Sequence, residues 1–423
     1  ITYYWPPSGG SGVQRWMFFA KYLKQFGHNP IILTVDPKYA SYNLIDNSLI
    51  DQVKDIEAHK TASFEILKLY SIFKSGNKNR AIPQSYIPTQ SFFDKIASFI
   101  RLNFFIPDSR IGWNYFAFKK AKKLIEENNI NCVITTGPPH SSHLIGKKIY
   151  NKFKLKWIVD LRDPWAELFY LKNKFQFNYV KKLNLKFELD VLNSADAILT
   201  TVGNRYKTIL RDKLSNTNKI YKIYNGYDKI AYDKIEEIKP DSYNIVFTGI
   251  LSKNHNYQLF LEVLSLLKDK YKDLNMIFTF AGKIDKKIKN LFSEKIQLID
   301  NGYVTHEKAI KIIKSSHLLI NFNYLNTEDT DMVSGKLIEY LASGSPIINF
   351  SNSAHESNII LKNSKKSFNA DSNDVIKVMD FIKKEYDNWL DGNYKKEIPK
   401  NIESLSREKL TDNLIDLIKN LVV

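Results

Sequence analysis

Ser334-Gly335-Lys336-Leu337-Ile338-Glu339-Tyr340-Leu341-Ala342-Ser343-Gly344-Ser345-Pro346 changes its structural grammar three times in 13 residues. It opens as a loop, continues with apolar residues at helical spacing, stops at Gly344, and runs from Pro346 into the apolar stretch ending at Phe350. Loop, helix, glycine stop and strand in that order build a parallel sheet with crossover helices. Ligands of such sheets bind at the carboxyl ends of the strands, where helices begin. Ser334 and Gly335 would present free amides at the helix start, beside the cation of Lys336. Glu339 lies one turn deeper on a similar face, placed to accept hydrogen bonds from ribose hydroxyls. The plain alternative is a surface Lys–Glu pair.

The same alternation extends in both directions. Tyr243 to Thr248 reads as the first strand of a series that continues with helix Tyr257–Lys268, strand Met276–Ala281, strand Ile296–Ile299, helix Glu307–Lys314 and strand Leu318–Phe322. Upstream, Ile1 to Trp5 ends a strand, Val13–Phe26 is helical, and Pro30–Val35 is a strand. Strand Cys132–Thr136, helix Ser142–Phe153, strand Trp157–Leu161 and strand Ala197–Thr201 follow. The expected fold class is therefore α/β, with two Rossmann-like domains facing each other across a cleft. The expected boundaries are 1–235 for the first domain and 236–400 for the second. A last helix within 401–423 is expected to pack back on the first domain. Residues 60–116 interrupt the alternation. Within them, residues 91–105 form an apolar helical face bordered by Lys95 and Arg101, suited either to a core or to a membrane interface.

A chain of 423 residues with 43% hydrophobic and 25% charged residues has the balance of a globular protein of two or three domains. The net charge of +17 calls for an anionic partner, or reflects compositional bias alone. The lysines are spread along the chain and no nucleic-acid motif accompanies them, so nucleic acid is not expected. A diphosphate substrate and an anionic membrane surface fit this pattern better. No apolar run is long enough to cross a bilayer. The single cysteine, Cys132, sits in an apolar strand and reads as a packing residue, in keeping with a reducing cytoplasm.

Two further stretches carry chemistry. Pro6-Pro7-Ser8-Gly9-Gly10-Ser11-Gly12-Val13-Gln14-Arg15 follows a strand and opens a helix, where backbone amides meet a phosphate. Gly10-x-Gly12 lacks the third glycine of a dinucleotide fingerprint, with Arg15 in its place. Trp157-Ile158-Val159-Asp160-Leu161-Arg162-Asp163-Pro164-Trp165 puts Asp160, Arg162 and Asp163 at a strand end, and Thr135-Thr136-Gly137-Pro138-Pro139-His140 ends the preceding strand similarly. Both positions also suit structural caps and ion pairs. Asp329-Thr330-Asp331 is an Asp-x-Asp triplet, but it precedes a phosphate-binding helix start, and no metal is expected.

Taken together, the three stretches resemble the retaining glycosyltransferases of family 4, with the fold called GT-B, and in particular bacterial members that build cell-surface polysaccharide. Phe105-Ile106-Pro107-Asp108-Ser109-Arg110-Ile111-Gly112-Trp113 resembles a segment of that subgroup. The resemblance implies that Gly10, Ser11 and Gly12 approach the donor diphosphate, with Arg15 as helper. It implies the same of Ser334, Gly335 and Lys336, with Glu339 on the ribose and Asp331 towards the sugar. Gly249 and Lys253 would lie in a phosphate loop, and Tyr303 and Val304 would hold the base. Asp160, Arg162, Asp163 and His140 would face the reacting sugar, with Asp163 first and His140 second to orient or deprotonate the acceptor hydroxyl.

The implied reaction is transfer of a sugar, with retention, from a nucleotide diphosphate donor, in this family usually a UDP-sugar, without cofactor or metal. The acceptor would be lipid-linked or a polysaccharide, and the location cytoplasmic, peripheral on the inner face of the plasma membrane. Two departures from the family pattern stand out. His255 replaces a basic residue in the Gly249 loop, and Asp331 replaces a glutamate. The rival readings are a sugar-nucleotide epimerase of the same fold, a nicotinamide-dependent dehydrogenase, and a non-catalytic protein that binds sugar nucleotide or membrane.

Overall fold

The computed structural model describes the chain except residues 43, 66–91, 167–173, 202–203, 272, 326–332, 352–354, 363, 372 and 423. It divides into two compact units, one made of Ile1–Tyr224 with Thr411–Val423, the other of Asn225–Leu410.

The first unit contains α1 (Ser11–Gln25), β1 (Ile31–Val35), β2 (Glu57–Thr61), α2 (Phe92–Phe104), α3 (Asn114–Glu127), β3 (Cys132–Gly137), α4 (Ser141–Phe153), β4 (Lys156–Leu161), α5 (Asn178–Ser194), β5 (Ala197–Thr200), α6 (Asn204–Asp212) and β6 (Ile220–Lys222). Strands β3-β4-β5-β6 form one parallel sheet and β1-β2 another. The expected strand at Ile1–Trp5 is only partly formed. Ile1 donates to Ile134 O and Thr136 donates to Ile1 O on one side, while Thr2 donates to Leu33 O on the other. These few bonds place the segment between β1 and β3 without a full ladder.

Helix α1 buries Val13, Met17, Phe18, Ala20 and Tyr22 against Trp5, Ile32, Leu49 and Val53, which fixes where the glycine-rich turn before it points. Cys132 begins β3 as a free, half-buried thiol, and burial pushes its pKa up to about 12. That is the packing role expected of it.

The second unit contains α7 (Lys229–Lys234), β7 (Tyr243–Leu251), α8 (Gln258–Lys270), β8 (Met276–Ile284), α9 (Lys286–Ser293), β9 (Gln297–Asp300), α10 (His306–Lys314), β10 (Leu318–Phe322), α11 (Gly335–Ser343), β11 (Ile347–Phe350), α12 (Glu356–Leu361), β12 (Ser367–Ala370) and α13 (Val375–Leu390). Helix α14 (Arg407–Val422) starts in this unit and continues in the other. All six strands are parallel, in the order β12-β11-β10-β7-β8-β9. The order reverses between β7 and β10, so the carboxyl ends of these two strands, at Leu251 and Phe322, flank the crevice where such sheets bind ligands. One face of the sheet carries Phe247, Phe278, Phe280, Phe322 and Phe350 into a core with Phe260 and Phe292. In register across three neighbouring strands, Asn321 donates to Asn349 (2.6 Å) and Asn349 to Asn369 (3.1 Å).

The division between the units falls at Tyr224–Asn225, earlier than the expected 235. Residues 225–235 are held by the second unit: Lys314 Nζ donates to Tyr232 O (2.6 Å) and also to Ile235 O, and Tyr232 Oη donates to Glu339 O (2.7 Å). Residues 401–410 also stay with that unit, through the paired backbone of Tyr227 and Arg407.

Candidate functional site

In the second unit, the chemistry gathers at the β7/β10 crevice. Helix α11 starts at Gly335 with Ser334 as its N-cap, and Ser334 makes no side-chain capping bond, so the first amides are not capped from their own helix. Lys336 lies in that first turn. Its Nζ sits 3.9 Å from the centroid of the Phe247 ring, and it has no ion-pair partner among the described residues. Burial lowers its pKa from the ordinary lysine value to about 7.

Beside it, Gly249 on β7 has φ +115°, and a Cβ there would come 3.7 Å from Lys336 Nζ. Gly282, in register with Gly249 on β8, has φ +142°, and its Cβ would overlap the Gly249 carbonyl. Gly282 N donates to Gly302 O (2.7 Å). Glycine thus lets three backbones converge beside the lysine. Lys253 is exposed in the loop that follows. His255 is turned inward: it is buried, its Nδ1 accepts from Ser252 N (3.1 Å), and its ring packs on Tyr324 at 4.1 Å. Burial and the nearby Lys336 push its pKa down to about 4, so it shapes the loop as a neutral ring and supplies no second cation.

Glu339 lies one turn into α11. Its Oε1 accepts from His306 Nε2 (3.1 Å) and from Arg407 Nη2 (3.2 Å). Burial works against its charge, but the bond from His306 and the charges of His306 and Arg407 hold its carboxyl below the ordinary range. Tyr303 is exposed and Val304 half-buried, just before α10. Asp331 lies outside the described residues, as do Asp329 and Thr330. The sequence pointed to Gly249, Lys253, Tyr303, Val304, Ser334, Gly335, Lys336 and Glu339. It passed over Gly282, His306 and Arg407. Gly282 was visible as a glycine at a strand end, whereas Arg407, 68 residues from its carboxylate, carried no local signal.

In the first unit, the glycine turn and two strand ends come together. Gly10 caps α1 with φ 91°, and Gly9 N donates to Leu44 O (2.9 Å). Ser11 is the first helical residue. Arg162 donates to the carbonyl oxygens of Gly12, Gly137 (3.2 Å) and Pro138, and so clamps the glycine turn to the end of β3. A Cβ on Gly12 would come 2.9 Å from the Arg162 guanidinium. Arg15 and Asp160 are not open to a ligand. They pair at 2.9 Å, both buried, and Asp160 also accepts from Trp16 Nε1 (2.6 Å) and Thr136 Oγ1 (2.8 Å). Arg15 further donates to Ile223 O (2.9 Å) and Tyr224 O (3.0 Å).

Asp163 is half-buried and accepts no hydrogen bond from the described residues. Burial raises its pKa against the lowering effect of Arg162. His140 is buried, stacks on Trp165 at 4.9 Å, and bonds Pro164 O through Nε2 at 3.2 Å. Its Nδ1 has no partner among the described residues, and burial pushes its pKa down to about 3. His143 lies against it, with its own Nε2 unpartnered among the described residues. Asp108, in the segment that resembles the polysaccharide subgroup, accepts from Ser141 N (2.8 Å) at the start of α4. Arg110 pairs with Glu65 at 2.8 Å. That segment is a scaffold for the β3 end. Among the described residues no group of three or more His, Cys, Asp or Glu side chains is arranged to hold a metal ion.

Comparison with known proteins bears on the family and the fold. Residues 242–386, which contain all six strands of the second unit, match the family described as Glycosyl transferases group 1. Among solved structures, the chain is similar to Anabaena Alr3699/HepE in complex with UDP-glucose (TM-score 0.62, 10% identity, 99% of each chain covered). It is also similar to sucrose-phosphate synthase from Thermosynechococcus elongatus (0.57, 13%, 95% of this chain and 91% of that one). A third is the lipopolysaccharide outer core galactosyltransferase WaaB (0.56, 12%, 99% and 98%). At this identity the likeness is one of fold: the chain has the two-domain α/β GT-B fold. By sequence, no curated protein matches it. The family match in the second unit supports a glycosyltransferase.

Proposed function

We propose that the chain is a retaining glycosyltransferase that moves a sugar from a nucleotide diphosphate donor, a UDP-sugar, to a lipid-linked or polysaccharide acceptor in cell-surface glycan synthesis. The observation that carries this reading is the Lys336 ammonium, which lies without an ion-pair partner among the described residues at an uncapped helix start, in the crevice where the strand order reverses. A partly desolvated cation beside free amides is a site for an anion. As the glycosyl bond breaks, negative charge grows on the leaving diphosphate, and Lys336, Lys253 and the first amides of α11 stabilise it without a metal. Both bonds to Glu339 fall on Oε1, which leaves Oε2 for a ribose hydroxyl. HepE, solved with UDP-glucose, supports UDP as the nucleotide.

In the first unit, Asp163 orients the acceptor hydroxyl or takes its proton, since its carboxylate is raised in pKa and uncommitted. His140 is the second choice. Arg162 positions the glycine turn. Asp160 acts through Arg15, as the buried counter-charge that fixes the start of α1. The chain works on the cytoplasmic side, at the inner face of the plasma membrane.

The test is binding of UDP, GDP, CDP, their common sugar conjugates and NAD, by calorimetry, to the wild type and Lys336→Ala. One nucleotide diphosphate bound tightly and lost in the variant supports the reading. Binding of NAD alone sinks it, and donor turnover without any acceptor points to an epimerase. The anomeric configuration of the product, by NMR, decides retention.

A further inference from the structure

We infer that the outward face of α2, with the segment Phe175–Tyr179, is the surface by which this chain docks on an anionic lipid bilayer. The inference deepens the proposed function, on which it rests for its purpose, by naming the patch that brings the enzyme to a lipid-linked acceptor.

Helix α2 is inside out. It buries Ala97 and Ser98 on one side and leaves Ile96, Phe99, Ile100 and Phe104 exposed along the other, with Asn103 buried among them. An ordinary surface helix does the reverse, with its large apolar residues towards the core. The inversion is built in rather than loose: the Asn103 amide donates to Phe175 O (3.3 Å) and accepts from Phe177 N (2.8 Å). Those bonds fix three more exposed rings beside the helix. Phe99 stacks on Phe175 at 6.0 Å and meets Phe177 edge-on at 5.6 Å, and Phe177 stacks on Tyr179 at 5.8 Å. Phe104 and Phe175 are 64% and 66% exposed. A contiguous aromatic patch of this kind marks an interaction surface.

Charge decides the occupant. Helix α2 and residues 174–187 together hold six cations, Lys95, Arg101, Lys174, Lys181, Lys182 and Lys186, against one acidic residue, Asp94. Lys95 and Lys174 line a shallow depression whose floor is Ser98, Phe99, Leu102 and Phe175. Aromatic rings that enter the acyl boundary, rimmed by lysines at headgroup height, are the pattern of an interfacial helix on anionic lipid. Among the described residues no helix is long and apolar enough to cross a membrane, so the attachment is to one surface.

The test is co-sedimentation of the full chain with vesicles of phosphatidylglycerol and phosphatidylcholine in equal parts, and with phosphatidylcholine alone. Wild type is expected to bind the anionic vesicles and to be released by salt. The pair Phe104→Ser with Phe175→Ser, and the pair Lys95→Glu with Lys174→Glu, should each weaken binding by about tenfold or more. Phe104, Phe175 and Lys95 are exposed and Lys174 is half-buried, and an unchanged melting temperature would show that the fold is kept. No binding by wild type, or equal binding by the aromatic pair, overturns the inference. So does a dimer in light scattering that the aromatic pair dissolves, since a second copy would then cover the patch. UDP binding measured on the same samples separates the two readings: its absence would sink the transferase while leaving the vesicle result standing.

Discussion

The ammonium of Lys336 rests 3.9 Å from the centre of the Phe247 ring, a ring that belongs to the buried core of the second unit. The charge has exchanged water for an aromatic face, which replaces only part of its hydration. An incoming diphosphate would supply the missing counter-charge.

Donor binding should therefore take up a proton. The Lys336 pKa is lowered to about 7 in the free protein by burial, and a bound diphosphate raises it again. Below pH 7 the lysine is already charged and its own contribution is flat in pH. Above 7 the affinity for UDP should fall, by up to about tenfold per pH unit. Lys336→Met should weaken binding about 30-fold below pH 7, from loss of about 2 kcal/mol in charge-assisted bonds, and remove the slope. Calorimetry in buffers of different ionisation enthalpy would detect the proton. A pH-independent wild-type Kd would contradict the assignment.

Arg162 and Asp163 are neighbours with opposite expected phenotypes. Arg162→Ala strips the Gly12 and Pro138 carbonyls of their side-chain donor, while Gly137 O keeps the Arg162 backbone N–H, and should cost about 2–4 kcal/mol in stability, seen in urea unfolding. Asp163→Asn removes no bond to the described residues, so its melting temperature should hold while kcat falls about 100-fold or more. If Asp163→Asn kept wild-type kcat, the base or orienting role would pass to His140.

Two glycines offer a matched pair. Gly282→Ala drives a Cβ into the Gly249 carbonyl and should both destabilise the unit and weaken UDP binding. Gly302→Ala also sits at positive φ (+60°), but nothing lies within 4 Å of its Cβ. It should cost only the left-handed penalty of about 1–2 kcal/mol. Equal effects of the two substitutions would show that the convergence of backbones does not matter.

Acid should act through the first unit's histidines. His140 and His143 are held neutral by burial, His140 with its pKa lowered to about 3. The unfolded chain binds protons at both from about pH 6.5 downward. Stability contributed by their neutral burial is thus complete above pH 6.5 and is lost as pH falls towards 3. His140→Gln with His143→Gln should flatten that part of the stability profile, measured by denaturant midpoint. An unchanged profile would place the acid-sensitive groups elsewhere.

The sequence was most informative where a local pattern meets a local need. Periodicity located β7, β10 and α11 to within a few residues, and with them Ser334, Gly335 and Lys336, because helix starts and strand ends are written in adjacent residues. It was least informative where partners are distant. Arg15 and Asp160, 145 residues apart, look like chemistry at a helix start and a strand end, yet they satisfy one another inside the core. His306 and Arg407 reach Glu339 only through tertiary packing. The pattern of α2 fixed a helix but not which stripe turns inward, nor that Asn103, on the outward stripe, would be covered by Phe175 and Phe177 from across the chain.

Cys132 carries a practical consequence. With its pKa pushed up to about 12, only about one molecule in ten thousand holds a thiolate there at pH 8. The chain contains no other cysteine. A single thiol introduced at an exposed position, such as 104, would therefore be the one fast-reacting handle on the wild-type background. Fluorophores or spin labels could be attached in one step, without first deleting native cysteines.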